Sequence, residues 1–179
     1  PVYPNLLPDE RVTGCDQVWQ ADVTYIRLPT SFCYLACIID AWSRRCVGWH
    51  LSTSLDAALP LQALTRALEV RTPAPGWIHH SDRGVQYAST AYTDQLKMAG
   101  ARISMSRVGN PYDNARIESF FKTLKREEVS LQQYRTVAEA RQSIGQFIEE
   151  VYNTKRLHSQ LGYRPPCEFE ALDQRPESE

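Results

Sequence analysis

The chain is expected to fold as an α/β unit: a five-stranded mixed sheet, three antiparallel strands then a βαβα alternation, flanked by helices. Between residues 18 and 53, three runs rich in Val, Ile, Tyr and Cys are joined by connections short enough only for antiparallel pairing. From residue 61 onward, apolar residues at helical spacing alternate with short apolar runs, the mark of strand–helix–strand units. The length of 179 residues, with 42 % hydrophobic and 23 % charged residues, suffices for one domain with a real core.

Residues 1–17 hold three prolines and no periodicity, and read as an extended arm or the remnant of a linker. Residues 18–26 alternate and are β-branched, so they are the first strand. Residues 32–40 are almost continuously apolar, as a buried central strand would be. Ala41-Trp42-Ser43-Arg44-Arg45 is a turn, and 46–53 a third strand. Trp42 and Trp49 are expected in the core. Leu61, Leu64 and Leu68 mark a helix with Pro60 near its start, ended by Pro73-Ala74-Pro75-Gly76. A short strand at 77–81 leads to Asp82, a helix at 89–99 is closed by Gly100, and 102–106 is a fifth strand. Asn110 is positioned to cap the next helix, with Pro111 at its first position and Ile117, Phe120, Phe121 and Leu124 on its apolar face. Thr136-Val137-Ala138-Glu139 is a capping box. It opens a helix with Val137, Ala140, Ile144, Phe147 and Val151 inward. The expected organisation is an arm at 1–17, a core at 18–155 and a C-terminal tail at 156–179. This element order is that of the ribonuclease H-like fold.

Composition narrows the function. No run of about 18 apolar residues occurs, so no membrane-spanning helix is expected. The five cysteines (Cys15, Cys33, Cys37, Cys46, Cys167) are odd in number and lack a C-x-x-C pair, which favours reduced thiols of a cytoplasmic protein over disulfides or structural zinc. The net charge of −1 is bland, but charge is segregated. Residues 102–126 carry six basic and two acidic side chains, whereas 127–150 carry five acidic and two basic. A local basic surface can bind a polyanion in a chain that is neutral overall.

Three separated acids carry the chemistry. Asp22 lies in Trp19-Gln20-Ala21-Asp22-Val23-Thr24-Tyr25, Asp82 in His79-His80-Ser81-Asp82-Arg83-Gly84, and Glu118 thirty-six positions later on a helix. Two acids on strands and one on a helix suit a two-metal phosphoryl-transfer site, with the ions about 3.5–4 Å apart. Mg²⁺ takes oxygen ligands and keeps several waters, so a few carboxylates suffice. Asp22, on a central strand, is assigned the bridging position; Asp82 and Glu118 flank it. At about 100° per residue, Asn114, Glu118, Lys122 and Lys125 fall in one stripe beside the apolar face, which sets two lysines where a nucleic-acid backbone would lie. The bland reading of that stripe is a solvated Glu–Lys face. Asp40 is expected to cap a strand or pair with Arg44 or Arg45, and Asp113 to be a helix-start acid. His80 is a candidate flank of the metal site.

With these residues in view, the chain resembles the catalytic cores of DDE transposases and retroviral-type integrases, specifically insertion-sequence transposases of the IS-three group. The matching pieces are Trp19 to Ile26; Ile39-Asp40-Ala41-Trp42-Ser43-Arg44 with Val47-Gly48-Trp49; His80 to Tyr87; Ser104-Met105-Ser106 through Lys125; and Tyr152-Asn153-Thr154-Lys155-Arg156-Leu157-His158-Ser159-Gln160-Leu161-Gly162-Tyr163. The resemblance implies a catalytic and metal-binding triad of Asp22, Asp82 and Glu118 holding two Mg²⁺, with Mn²⁺ as a substitute. It implies DNA strand cleavage and then attack by the freed 3′-hydroxyl on a second phosphodiester, without a covalent enzyme intermediate. The partners implied are DNA (element ends and target) and further copies of the chain on that DNA, in a bacterial, nucleoid-associated setting. Asn114, Arg116, Lys122, Lys125, Arg156 and His158 are the DNA-contact candidates. The resemblance also implies an upstream helix-turn-helix region in full-length relatives, expected to lie outside this sequence. Competing readings are a nuclease of the same fold that hydrolyses without joining, and a non-catalytic DNA-binding or dimerisation fragment.

Overall fold

The computed structural model describes residues 1–174, the Pro111 side chain excepted. Five strands form one mixed sheet in the order β3-β2-β1-β4-β5, where β1 is Val18–Arg27, β2 Phe32–Asp40, β3 Cys46–Ser52, β4 Ile78–Ser81 and β5 Arg102–Met105. The first three are an antiparallel meander, with a bulge between Ile38 and Ile39. β1 pairs with β4, and β4 with β5, in parallel. The crossovers are α1 (Ala58–Val70) and α2 (Thr90–Met98), and three further helices follow: α3 (Ala115–Glu127), α4 (Val137–Gln146) and α5 (Pro166–Asp173).

Alternation along the strands sorts their side chains onto two faces. Trp19, Ala21, Ala36, Ile38 and Val47 pack under α1 and α2 with Leu59, Leu64, Tyr92 and Leu96. Ile26, Cys33, Leu35, Cys37 and Ile39 meet Ile117, Phe120, Phe121 and Leu124 of α3 and Ala140 and Ile144 of α4. The four apolar positions expected on α3 are thus its buried stripe. α1 lies so close to β3 that a Cβ on Gly48 would come 2.4 Å from the Ala63 carbonyl oxygen.

The structure departs from the sequence reading in several places. Asn110 caps a 3-10 turn, Pro111–Asn114, by accepting from the Tyr112 N–H at 3.0 Å; the α-helix begins after that turn, at Ala115. Thr136 does accept from the Glu139 N–H, but beyond Gln146 the chain continues as a π-helix, Phe147–Tyr152. The wider turn rotates the inward face. Ile148 and Tyr152 are therefore buried, while Val151, expected inside, is 37 % exposed. Trp42 and Trp49 are half-buried at the margin: Trp42 stacks on Phe169, and Trp49 packs on Gly145 and beneath Arg66. Asp40 caps the end of β2, one of its two expected roles, but is fully buried and pairs with neither Arg44 nor Arg45. It accepts backbone N–H bonds from Asp16, Trp42 and Ser43 and lies 3.7 Å from Arg71.

Both chain ends dock on the sheet. In the arm, Leu6 N–H donates to Ser104 Oγ and Met105 N–H donates to the Pro4 carbonyl, and Leu6, Leu7 and Val12 pack on Val18, Ala41 and Ile78. The segment from 156 is ordered into a 3-10 turn at Ser159–Leu161 and α5, whose Glu170 is buried against Ser43 and Arg71. Residues 175–179 of the expected tail lie outside the described residues. No helix among those described is long and apolar enough to cross a membrane.

Candidate active site

The strand register brings the first two acids together. Gln20 of β1 sits opposite His80 of β4. Asp22 lies two residues further along β1 on the Gln20 face, and Asp82 directly follows the last residue of β4, the neighbouring strand. Asp82 follows the carboxyl end of a parallel strand, where α/β sheets gather their sites. Its Oδ1 accepts from the Gly84 N–H at 2.7 Å, and a Cβ on Gly84 would come 2.8 Å from that same oxygen, so a side chain there would displace the Asp82 carboxylate. Asp22 Oδ1 accepts from its neighbour's N–H, that of Val23, at 2.8 Å.

The third acid arrives through α3. Gln20, on the Asp22 face of β1, accepts from the Ile117 N–H through its Oε1 at 3.1 Å, in a buried contact. This ties the first turn of α3 to the strand and sets Glu118, the next residue, beside the two aspartates. Gln20 carries no role in the sequence reading; its place two residues before Asp22 on one strand face is the available signal.

The electrostatics report the convergence. Burial pushes the Asp22 carboxyl up to about 6, and the Asp82 and Glu118 charges push the same way against the Val23 hydrogen bond. No Lys, Arg or His nitrogen among the described residues lies within 4.0 Å of any of the three carboxylates. The site is a concentration of negative charge with no paired counterion among the described residues. It is also loose: Cys15, Asp40 and Glu170 are the one group of such side chains, among those described, whose ligand atoms all fall within 4.8 Å. That tighter group already has a cation in Arg71, at 2.8 Å from Glu170 and 3.7 Å from Asp40.

The remaining candidates separate. His80 presents no free nitrogen to the acids: Nδ1 is 2.8 Å from Ser104 Oγ and Nε2 3.1 Å from Ser106 Oγ, in a fully buried position. Burial pushes its pKa down to about 4. That contact ties β4 to β5 and leaves His80 no free nitrogen for a metal. His79, on the opposite face, is pushed by burial down to about 3 and bonds Tyr92. Asp113 accepts from the Arg107 N–H at 2.9 Å and pairs with its guanidinium, away from the acids. Lys122 and Lys125 share the Glu118 stripe, whereas Asn114 belongs to the 3-10 turn before α3. Lys122 is exposed, Lys125 Nζ lies 4.9 Å over the Tyr25 ring, and Asn114 Oδ1 is buried without a hydrogen-bond partner. Arg116, Arg156 and His158 gather elsewhere, in a pocket shared with Arg44.

Three carboxylates, an all-oxygen donor set, suit a hard cation such as Mg²⁺. Asp22, Asp82 and Glu118 are the residues that would hold it. The orphaned Asn114 oxygen, one turn before Glu118, is an acceptor that water beside such an ion would satisfy.

Comparison with known proteins agrees with this architecture. The family described as Integrase core domain matches residues 13–111, and a second family of the same description matches residues 99–166. The transposase for insertion sequence element IS904 of Lactococcus lactis is 46 % identical over 168 residues, covering 93 % of this chain and 66 % of the relative. The transposase InsF for insertion sequence IS3A of Escherichia coli K12 is 42 % identical over 171 residues, covering 95 % and 59 %. This chain therefore spans about three-fifths to two-thirds of the length of these curated relatives. The HTLV-2 integrase catalytic core domain in complex with magnesium superposes with a TM-score of 0.68 at 12 % identity, over 89 % of this chain and 99 % of that one. A chain of the simian T-cell lymphotropic virus intasome gives 0.74 at 14 %, over 100 % and 61 %. At such identities the likeness is one of fold, the ribonuclease H-like fold of integrase catalytic cores. With a family match over more than half its length and insertion-sequence transposases among its relatives, the chain belongs to the integrase core domain family.

Proposed function

We propose that this chain is the catalytic core of an insertion-sequence transposase, which cuts DNA and joins the freed 3′ end to a second site, working as an oligomer on that DNA. The observation that carries the reading is the Asp22–Asp82–Glu118 cluster: three carboxylates from three elements, one pushed up to about 6 by burial and its neighbours, with no protein cation beside them.

Asp22, Asp82 and Glu118 are the residues that would hold two Mg²⁺, with Mn²⁺ able to replace them. The ions would lower the pKa of the attacking hydroxyl and neutralise charge on the leaving oxygen. The chain's own part is positional. The Val23 and Gly84 N–H groups fix one oxygen of each aspartate, Gln20 holds the first turn of α3, and exposed Glu118 closes the set. Lys122 and Lys125, one and two turns along α3, would hold backbone phosphates beside the acids. In the first step a water oxygen bonds to phosphorus as the P–O3′ bond breaks, and the departing oxygen takes up a proton to become a 3′-hydroxyl. In the second, that hydroxyl attacks another phosphodiester, forming one P–O bond as another breaks. Bond exchange of this kind needs neither a nucleoside triphosphate nor a protein nucleophile.

The test is cleavage and joining of labelled element-end DNA by the native chain, Asp82→Asn and Glu118→Gln. Both variants should lose both products while keeping the melting temperature. Unchanged cleavage by either removes that acid from the site.

A further inference from the structure

The motif from Tyr152 to Tyr163 finds no use in the reaction above, yet it builds a pocket. The residues after α4 return across α3 and, with Arg44 from the turn between β2 and β3, enclose about 380 Å³ lined by Arg44, Arg116, Arg156, His158, Gln160 and Tyr163, among others. Three guanidinium groups meet there. Arg156 is paired with Glu127 at 2.7 Å. Arg44 reaches only a neutral partner, Gln160 Oε1 at 2.8 Å, and no carboxylate among the described residues lies within 4.0 Å of Arg44 or Arg116. Burial pushes the Arg44 pKa down and the Arg116 charge adds to it, so the two repel one another across a half-enclosed space. His158 Nε2 is buried without a hydrogen-bond partner, its ring held edge-on against Tyr152. Unpaired arginines and an orphaned imidazole nitrogen are a donor set lacking its acceptor. At the rim, Leu157 and Tyr163 are exposed, as an apolar and aromatic border to a nucleic-acid contact would be. Arg44 and Tyr163 both hold left-handed backbone, φ 66° and 57°, which non-glycine residues adopt at a cost and which clusters at functional sites.

The pocket is not a continuation of the Glu118 stripe. At about 100° per residue, Arg116, Ser119 and Thr123 lie roughly 130° around α3 from Glu118, Lys122 and Lys125. The buried residues Ile117, Phe120, Phe121 and Leu124 fill the third side. One helix thus presents a reaction face and a phosphate face roughly a third of a turn apart, with the core stripe on the remaining side.

We infer that the Arg44–Arg116–His158 pocket holds a backbone phosphate of a DNA segment separate from the one lying along Glu118, Lys122 and Lys125. Two segments on one subunit are what joining chemistry requires, since the attacking end and the attacked site belong to different stretches of DNA. The inference takes its ligand from the strand-transfer reading, but its test does not depend on catalysis.

The experiment follows the His158 ring resonances of the native chain as a short duplex is added, alongside the salt dependence of duplex affinity. The His158 signals should move in the native chain and equally in a Lys122→Ala, Lys125→Ala variant. An Arg44→Gln, Arg116→Gln variant should lose that response, bind DNA roughly tenfold more weakly at 0.1 M salt, and show a log–log salt slope smaller by about 2. Arg116→Lys, which keeps the charge, should retain most of the affinity, so a folding defect in the double variant leaves the question answerable. His158 signals indifferent to saturating duplex would overturn the inference. So would loss of their response in the lysine variant, which would mean one continuous track. A concentration-dependent shift without DNA would also overturn it, in favour of a carboxylate from a second copy. Cleavage that survives Asp82→Asn while His158 still responds would remove the catalytic reading and leave the pocket standing.

Discussion

Two clusters of three acids lie in this molecule, and they are opposites. Asp16, Asp40 and Glu170 surround Arg71, whose guanidinium bonds Asp16 and Glu170 and lies 3.7 Å from Asp40; Arg45 adds a contact to Glu170 at 3.0 Å. Burial opposes the Arg71 charge, but hydrogen bonds to Glu170 and Asp16 outweigh it and hold its pKa far above the usual range. Burial likewise works against the Glu170 carboxylate, but its bonds to Arg71 and Ser43 hold it below the ordinary value. Asp22, Asp82 and Glu118 have no such partner, and Asp22 is pushed the other way. The first cluster joins the arm, the sheet, α1 and α5, and its charges are spent on one another. The second keeps its charge for something from outside. Pairing, more than proximity, separates a structural acid cluster from a reactive one.

The largest expected effect breaks the second cluster. Asp82→Asn or Glu118→Gln should reduce DNA cleavage by at least about a thousandfold with little change in stability, read from product formation and thermal melting. The same treatment of the first cluster should do the reverse. Arg71→Ala leaves buried Glu170 and Asp40 uncompensated and should cost about 3–5 kcal/mol in denaturant unfolding, with the fraction that remains folded still active.

One acid from each cluster, Asp22 and Glu170, should respond to pH with opposite sign, while burial pushes Asp40 of the first cluster up as it does Asp22. Asp22 binds its proton more tightly folded than unfolded, so in metal-free buffer its ionisation destabilises the fold. That penalty is absent below about pH 4 and complete above the folded value of about 6. Asp22→Asn should therefore raise stability at pH 7.5, on the order of 2 kcal/mol, and lose the advantage near pH 4. Glu170 has a lowered value, so its contribution is present above its unfolded pKa and fades as pH falls through the folded one. Glu170→Gln should destabilise at neutral pH and converge on the native chain in acid. Equal pH profiles for the two variants would erase the distinction. A smaller effect is expected at Gly84→Ala, where the added Cβ meets Asp82 Oδ1 and should slow cleavage by about tenfold without lowering affinity for DNA.

Much of this was legible in the sequence. The meander, the crossovers and the α3 apolar stripe follow from alternation and helical spacing over long segments, which local physics sets strongly. The three acids were legible from context, a strand, a strand end and a helix start, joined with the family resemblance. What escaped depended on tertiary contact. The π-turn that hides Tyr152 and exposes Val151 has no local signature. Asp40 had Arg44 and Arg45 close by in sequence, yet packing chose Arg71. α5 was taken for tail because eight residues opening on proline carry little helical signal; Glu170 anchors it through partners about a hundred or more positions away. His80 stood beside the site in sequence, but Ser104 and Ser106 on the next strand claimed both ring nitrogens.

The most direct test of the central claim is a crystal structure of the chain grown with Mn²⁺ and duplex DNA, read by anomalous scattering. The account predicts Mn²⁺ peaks among Asp22, Asp82 and Glu118, and none at Cys15, Asp40 and Glu170, where Arg71 already supplies the charge. Peaks at the Arg71 cluster, or no metal among the three unpaired acids with DNA bound, would contradict it.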